Sequence, residues 1–137
     1  MREKLKKIPV SEFTSRCPVT VTPETHYNEV AGLMVTHDIR HLPVTDDSGI
    51  VGMISERQLK LPAQLGEDIH LKAGDIMVPD PYCVEADATL EEVAFEMSKR
   101  KIGSAIVTTS SGKLTGIFTT TDALNALIEV IRGEWDS

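Results

Sequence analysis

With 137 residues, 41% hydrophobic and 26% charged, the chain can bury a core of its own and has the make-up of a soluble globular domain. A net charge of −7 argues against nucleic acid or any other polyanion as a partner, and no apolar run reaches the length of a membrane span. The two cysteines, Cys17 and Cys83, form no Cys-x-x-Cys pair and each precedes an extended segment, which predicts packed, inert thiols in a cytoplasmic protein.

In chain order, Met1-Arg2-Glu3-Lys4-Leu5-Lys6-Lys7 is basic but mixed in sign and lacks the apolar core of a signal peptide. It reads as a solvated leading turn or helix. A helical turn is predicted over 10–14, followed by Pro18 and a brief extended segment over 19–21. Tyr27, Val30, Ala31 and Met34 recur at helical spacing and mark a buried helix face. Two strands, 41–45 and 50–54, flank the polar turn Asp46-Asp47-Ser48-Gly49, whose closing glycine supplies a left-handed backbone. A short helix is then expected to stop before Pro62, with an exposed connection behind it that contains Gly66.

The same signals return. Displaced by 63 positions, Pro18, Val21, Glu29, Val30, Ala31, Met34, Ile39, Val44 and Gly49 fall on Pro81, Val84, Glu92, Val93, Ala94, Met97, Ile102, Val107 and Gly112. One inserted residue later, Gly52-Met53-Ile54-Ser55 meets Gly116-Ile117-Phe118-Thr119. The second copy therefore predicts a turn over 73–77, an extended segment over 82–84 and a helix opened by the capping box Thr89-Leu90-Glu91-Glu92. Leu90, Val93, Ala94 and Met97 form that helix's buried face, and strands over 104–108 and 114–118 follow. A last helix ends near Gly133.

The chain thus divides into a leader (1–9), a first repeat (10–61), a linker (62–72), a second repeat (73–131) and a tail (132–137). Each repeat is too small to bury its own sheet and helices, so the two are expected to pack together about a pseudo-two-fold.

The stretch Gly116-Ile117-Phe118-Thr119-Thr120-Thr121-Asp122 carries the chemistry. A helix start offers unpaired N–H groups and partial positive charge to a phosphate, and a carboxylate beside it can accept from the two hydroxyls of a ribose. The same Thr-x-x-Asp pattern also caps a helix with no ligand at all. Both can hold in one site.

This doubled β-α-β-β-α order, with Gly-h-h-Ser/Thr-x-x-Asp after the last strand, resembles a tandem pair of CBS domains, a Bateman module. Asp75-Ile76-Met77-Val78-Pro79, Ile39-Arg40-His41-Leu42-Pro43-Val44 and Gly52-Met53-Ile54-Ser55-Glu56-Arg57 carry the likeness, which covers residues 10–131. It implies a mixed α/β (α+β) fold of two repeats packed sheet to sheet. The implied function is that of a regulatory, energy-sensing module for an adenosine ligand: AMP, ADP, ATP or S-adenosylmethionine.

By that resemblance Asp122 would take the ribose hydroxyls, and Thr119 and Thr120 would meet the ribose or first phosphate. Adenine would lie between Met77 and Tyr82 on one side and Ile102, Gly103 and Ser104 on the other. Arg40 and His41 would meet the phosphate from the other repeat, His41 only when protonated, so binding would weaken as pH rises through neutrality. Read by themselves, Arg40 is equally a solvated charge and His41 a strand-edge residue.

In the first repeat Gln58 stands where the acid is expected, so the cleft lined by Thr14, Val19, Ser55 and Gln58 is predicted to be weak or empty. No nucleophile–base pair, phosphate loop or zinc spacing occurs, so no catalysis, catalytic cofactor or metal site is expected. Phe95, off its helix's apolar face, is either buried or a partner surface. A homodimer and a separate effector protein are expected, and a scaffold with vestigial clefts is the alternative.

Overall fold

The structure, a computed structural model, describes residues 2–17, 19–66 and 70–135. Pro18, expected to open the first extended segment, and part of the linker and tail lie outside the described residues. The fold is mixed α+β, with two sheets and helices in the order α1 (Arg2–Leu5), a 3-10 turn (Val10–Phe13), β1 (Ser15–Arg16), α2 (Tyr27–His37), β2 (His41–Asp46) and β3 (Gly49–Ser55). Then come α3 (Glu56–Leu65), α4 (Ala73–Ile76), β4 (Val78–Pro79), β5 (Cys83–Glu85), α5 (Leu90–Arg100), β6 (Ser104–Thr108), β7 (Leu114–Thr119) and α6 (Thr120–Ile131).

The elements gather into two units. One comprises Cys17–Pro81, the other Met1–Arg16 together with Tyr82–Ser137. The contiguous unit holds a three-stranded sheet, β2-β3-β4, and the split unit a four-stranded sheet, β1-β7-β6-β5, with β1 and β5 at its edges. Each leading turn and short strand therefore joins the body of the other repeat. β1 pairs with β7 (Ser15 opposite Ile117, Arg16 opposite Gly116), and β4 pairs with β3 (Val78 opposite Met53, Pro79 opposite Gly52). Periodicity within a segment carries no information about which distant strand it joins.

Each unit has its own core. Val21, Val30, Met34, Leu42, Val44, Ile54 and Ala73 fill one, and Val10, Val93, Met97, Ala105, Val107 and Phe118 the other. Of the two helix faces read from the sequence, Val30, Met34, Val93 and Met97 enter these cores and Tyr27 is buried, whereas Ala31, Leu90 and Ala94 are only half-buried. The two hairpins close as expected, with Gly49 at φ +116° and Gly112 at φ +87°, a region in which only glycine is at ease.

The helix starts differ from one another. His26 caps α2 with its imidazole, Nδ1 accepting from the Asn28 N–H at 3.1 Å. Thr89 Oγ1 accepts from the Glu92 N–H at 3.2 Å, which is the hydroxyl half of the expected box.

Three expectations need correction. α3 does not stop before Pro62 but runs to Leu65 with the proline inside it. Pro62 is fully buried, so packing of the ring offsets the lost helical hydrogen bond. The segment 19–21 is reduced to a single bridge, Val21 to Val44. Cys83 is exposed rather than packed, because on the edge strand β5 it and Glu85 face outward while Val84 faces inward. Partial burial still raises the pKa of both thiols, which keeps thiolate scarce.

Candidate functional site

β7 delivers its chain end to α6 at a turn that the sequence folds on itself. Thr119 ends the strand, and its hydroxyl accepts from the Asp122 N–H at 3.3 Å. Asp122 returns the contact: Oδ2 accepts from the Thr119 N–H at 2.9 Å and from Thr119 Oγ1 at 3.1 Å. Asp122 as a whole is only 7% exposed. Burial of such a group is tolerated because donors surround it.

Cross-strand pairing sets Ser104 opposite Thr119, and the Thr120 N–H donates to the Gly103 carbonyl at 3.1 Å. Gly103, Ser104, Thr119, Thr120 and Asp122 thus form one corner of the split unit, with Ile102 just before the start of β6. A Cβ added to Gly103 would meet nothing within 4 Å, so its bare backbone answers no packing need inside the chain. Tyr82, in the same unit, is half-buried and has the Arg100 guanidinium 4.7 Å above its ring. Burial, ahead of a smaller rise from Glu96 and an opposing pull from Arg100, raises its phenol pKa.

The contiguous unit repeats this corner with different chemistry. His41 pairs with Ser55, and the Glu56 N–H donates to the Arg40 carbonyl at 3.1 Å. Gln58 takes the place of the acid: its Oε1 accepts from the Ser55 N–H at 2.7 Å and from Ser55 Oγ at 2.6 Å. Arg40 is exposed and His41 half-buried.

Met77 packs in this unit, where a Cβ on Gly52 would overlap its side chain. Thr14, expected beside Ser55 and Gln58, belongs to the split unit, where its Cγ2 would lie 2.7 Å from a Cβ on Gly116. Val19 packs against the core of the contiguous unit.

Ser15 carries no signature in the sequence pattern. Its hydroxyl donates to Asp122 Oδ1 at 2.8 Å, across 107 positions of chain. No local pattern encodes such a contact. Elsewhere, no group of three or more His, Cys, Asp or Glu able to hold a metal occurs among the described residues. Nor is any described helix long and apolar enough to cross a membrane.

Comparison with known proteins gives a consistent result. The family model of the CBS domain matches twice, at residues 10–60 and 73–129. An inosine-5′-monophosphate dehydrogenase from Korarchaeum cryptofilum is 34% identical over 110 residues, which cover 80% of this chain but 22% of that enzyme. The chain spans only about a fifth of that relative's length. The crystal structure of CBSX2 in complex with AMP superposes with a TM-score of 0.73 at 26% identity, covering 90% of this chain and 98% of that one. The CBS domain pair of protein MJ0100, in complex with 5′-methylthioadenosine and S-adenosyl-L-methionine, gives 0.76 at 26% identity, covering 87% and 94%.

Proposed function

Since the chain belongs to the CBS-domain family, we propose that it is a non-catalytic sensor that takes an adenosine ligand at Asp122 and relays binding to a partner protein. The observation that carries the reading is the buried Asp122 carboxylate at the start of α6, beside the bare backbone of Gly103. A carboxylate there has acceptor capacity beyond its capping bonds, and the adjoining helix start favours an anion. The adenosine compounds bound to CBSX2 and to the MJ0100 pair support the ligand class.

A thermal-shift screen with AMP, ATP and S-adenosylmethionine tests this. A ligand that binds only the folded chain adds about 2.7 kcal/mol at a hundred times its Kd, enough for a clear rise in melting temperature. One nucleotide per chain is expected, because Gln58 offers a neutral amide where Asp122 offers a carboxylate.

The family resemblance, through Ile39-Arg40-His41-Leu42-Pro43-Val44, is what gives Arg40 and His41 to the phosphate in this proposal. Arg40→Ala should then weaken AMP about tenfold by calorimetry while leaving adenosine nearly unchanged, since a charge-assisted contact to phosphate is lost and none to the nucleoside. Equal losses for both compounds would remove Arg40 from that role.

A second reading, association of two copies, is favoured by apolar residues left in water. Phe95 on α5 is 65% exposed, and Leu124, Leu127, Ile128 and Ile131 recur along α6 at i, i+3, i+4 and i+7, each at least 44% exposed. Leu127→Glu should convert a dimer to a monomer by sedimentation velocity. A wild-type chain that is monomeric at high micromolar concentration would exclude the self-association reading.

A further inference from the structure

Resting on the assignment of a ribose to Asp122, we infer that Ser15 is a built-in competitor for that carboxylate and sets the affinity of the site. A carboxylate presents about four lone-pair positions. Oδ2 already accepts from the Thr119 N–H and Thr119 Oγ1, and Oδ1 accepts from Ser15 Oγ at 2.8 Å. One position on Oδ1 is left. Two vicinal hydroxyls bring two donors, so the second can bind only as the Ser15 hydroxyl lets go.

The segment that presents Ser15 is built to hold firmly and release locally. Ile8 and Val10 are buried in the split unit, the Val10 N–H donates to the Ala88 carbonyl at 2.7 Å, and the Leu90 N–H donates to the Ile8 carbonyl at 2.8 Å. Phe13 lies against Trp135, ring centroids 5.6 Å apart. Beyond these anchors only the two exposed residues of β1 reach the sheet. Rotation of the Ser15 side chain into water frees Oδ1 without moving the anchors.

Gly116 is the seat for this contact. A Cβ there would overlap the Ser15 carbonyl. The other unit supplies an internal control: Val78, which pairs with Met53 as Ser15 pairs with Ile117, has no hydroxyl, and the residue capping that helix is the neutral Gln58. The hydroxyl accompanies the acid and is missing where the acid is missing.

Isothermal titration of the full chain with AMP tests the inference. Ser15→Ala should tighten binding about three- to tenfold, the worth of one modest hydrogen bond no longer in competition. Ser15→Thr, which keeps the hydroxyl, should return to wild-type affinity. Gly116→Ala, which pushes Ser15 off its seat, should tighten binding as Ser15→Ala does; if circular dichroism shows that variant unfolded, the two Ser15 variants decide.

Wild-type binding that is unchanged or weakened in Ser15→Ala overturns the competitor role and leaves the nucleotide reading standing. If wild type, Ser15→Ala and Gly116→Ala all fail to bind AMP, ATP or S-adenosylmethionine, the nucleotide reading falls and the competitor role falls with it.

Discussion

Phe118→Ala is expected to cost about 3–5 kcal/mol of folding stability, the range for emptying a buried aromatic position. Phe118 has no exposed surface and packs with Val10, Val93, Met97, Ala105 and Val107. Its partners come from three parts of the chain: the leading turn, α5 and the neighbouring strand β6. Truncation therefore leaves a cavity that no single side chain can close. Because a domain of this size is stable by only about 5–15 kcal/mol, the loss is a large fraction of the total.

Urea unfolding should show a lower midpoint at unchanged slope, since the surface exposed on unfolding stays the same. Ile54, the equivalent strand residue of the other unit and equally buried, provides the comparison. Ile54→Ala should cost about 2–5 kcal/mol. A Phe118→Ala loss below about 1 kcal/mol would mean that the core is looser than its burial implies.

The second large effect concerns Asp122. Asp122→Ala should abolish any ligand-induced rise in melting temperature and also destabilise the unliganded chain by about 1–3 kcal/mol. Both follow from one observation: the carboxylate accepts from Ser15 and twice from Thr119 in a residue only 7% exposed. Removing it strands the Thr119 N–H at a helix start.

Asp122→Asn separates the two roles. The amide oxygen can still accept from Thr119, so stability should fall by less than about 1 kcal/mol, but its NH2 can accept from neither Ser15 nor a ligand hydroxyl, and the acceptor that a pair of ribose hydroxyls needs is lost. Ligand response should disappear while the fold persists. An Asn variant that responds to AMP like wild type would show that the acid is only a cap.

Much of this is legible in the amino-acid sequence. The repeat, offset by 63 and after one inserted residue by 64, marks α2, α5, both hairpins and the Thr119-to-Asp122 turn, because each depends on residues close in sequence. What escaped depends on residues far apart. That the turn at Val10–Phe13 packs with the second repeat follows from the pairing of β1 with β7, which no local period records.

Pro62 misled for a related reason: its intrinsic cost ends helices in isolation, whereas here burial of its ring offsets that cost. Ser15 was invisible because serine in an exposed two-residue strand has no signature until its partner is known. Gln58 was legible as a departure, and the structure adds that it still caps α3.

The unit Cys17–Pro81 is, in topological terms, an insertion: the backbone leaves the split unit after one margin strand of its sheet and re-enters at the other. A folded insertion holds its two ends within a domain's breadth, whereas an unfolded one is a long random tether. Closing the host sheet over such a tether costs extra chain entropy, growing as about (3/2)RT ln n with its length. Melting the guest therefore taxes the host, and the two should denature in one cooperative step rather than two.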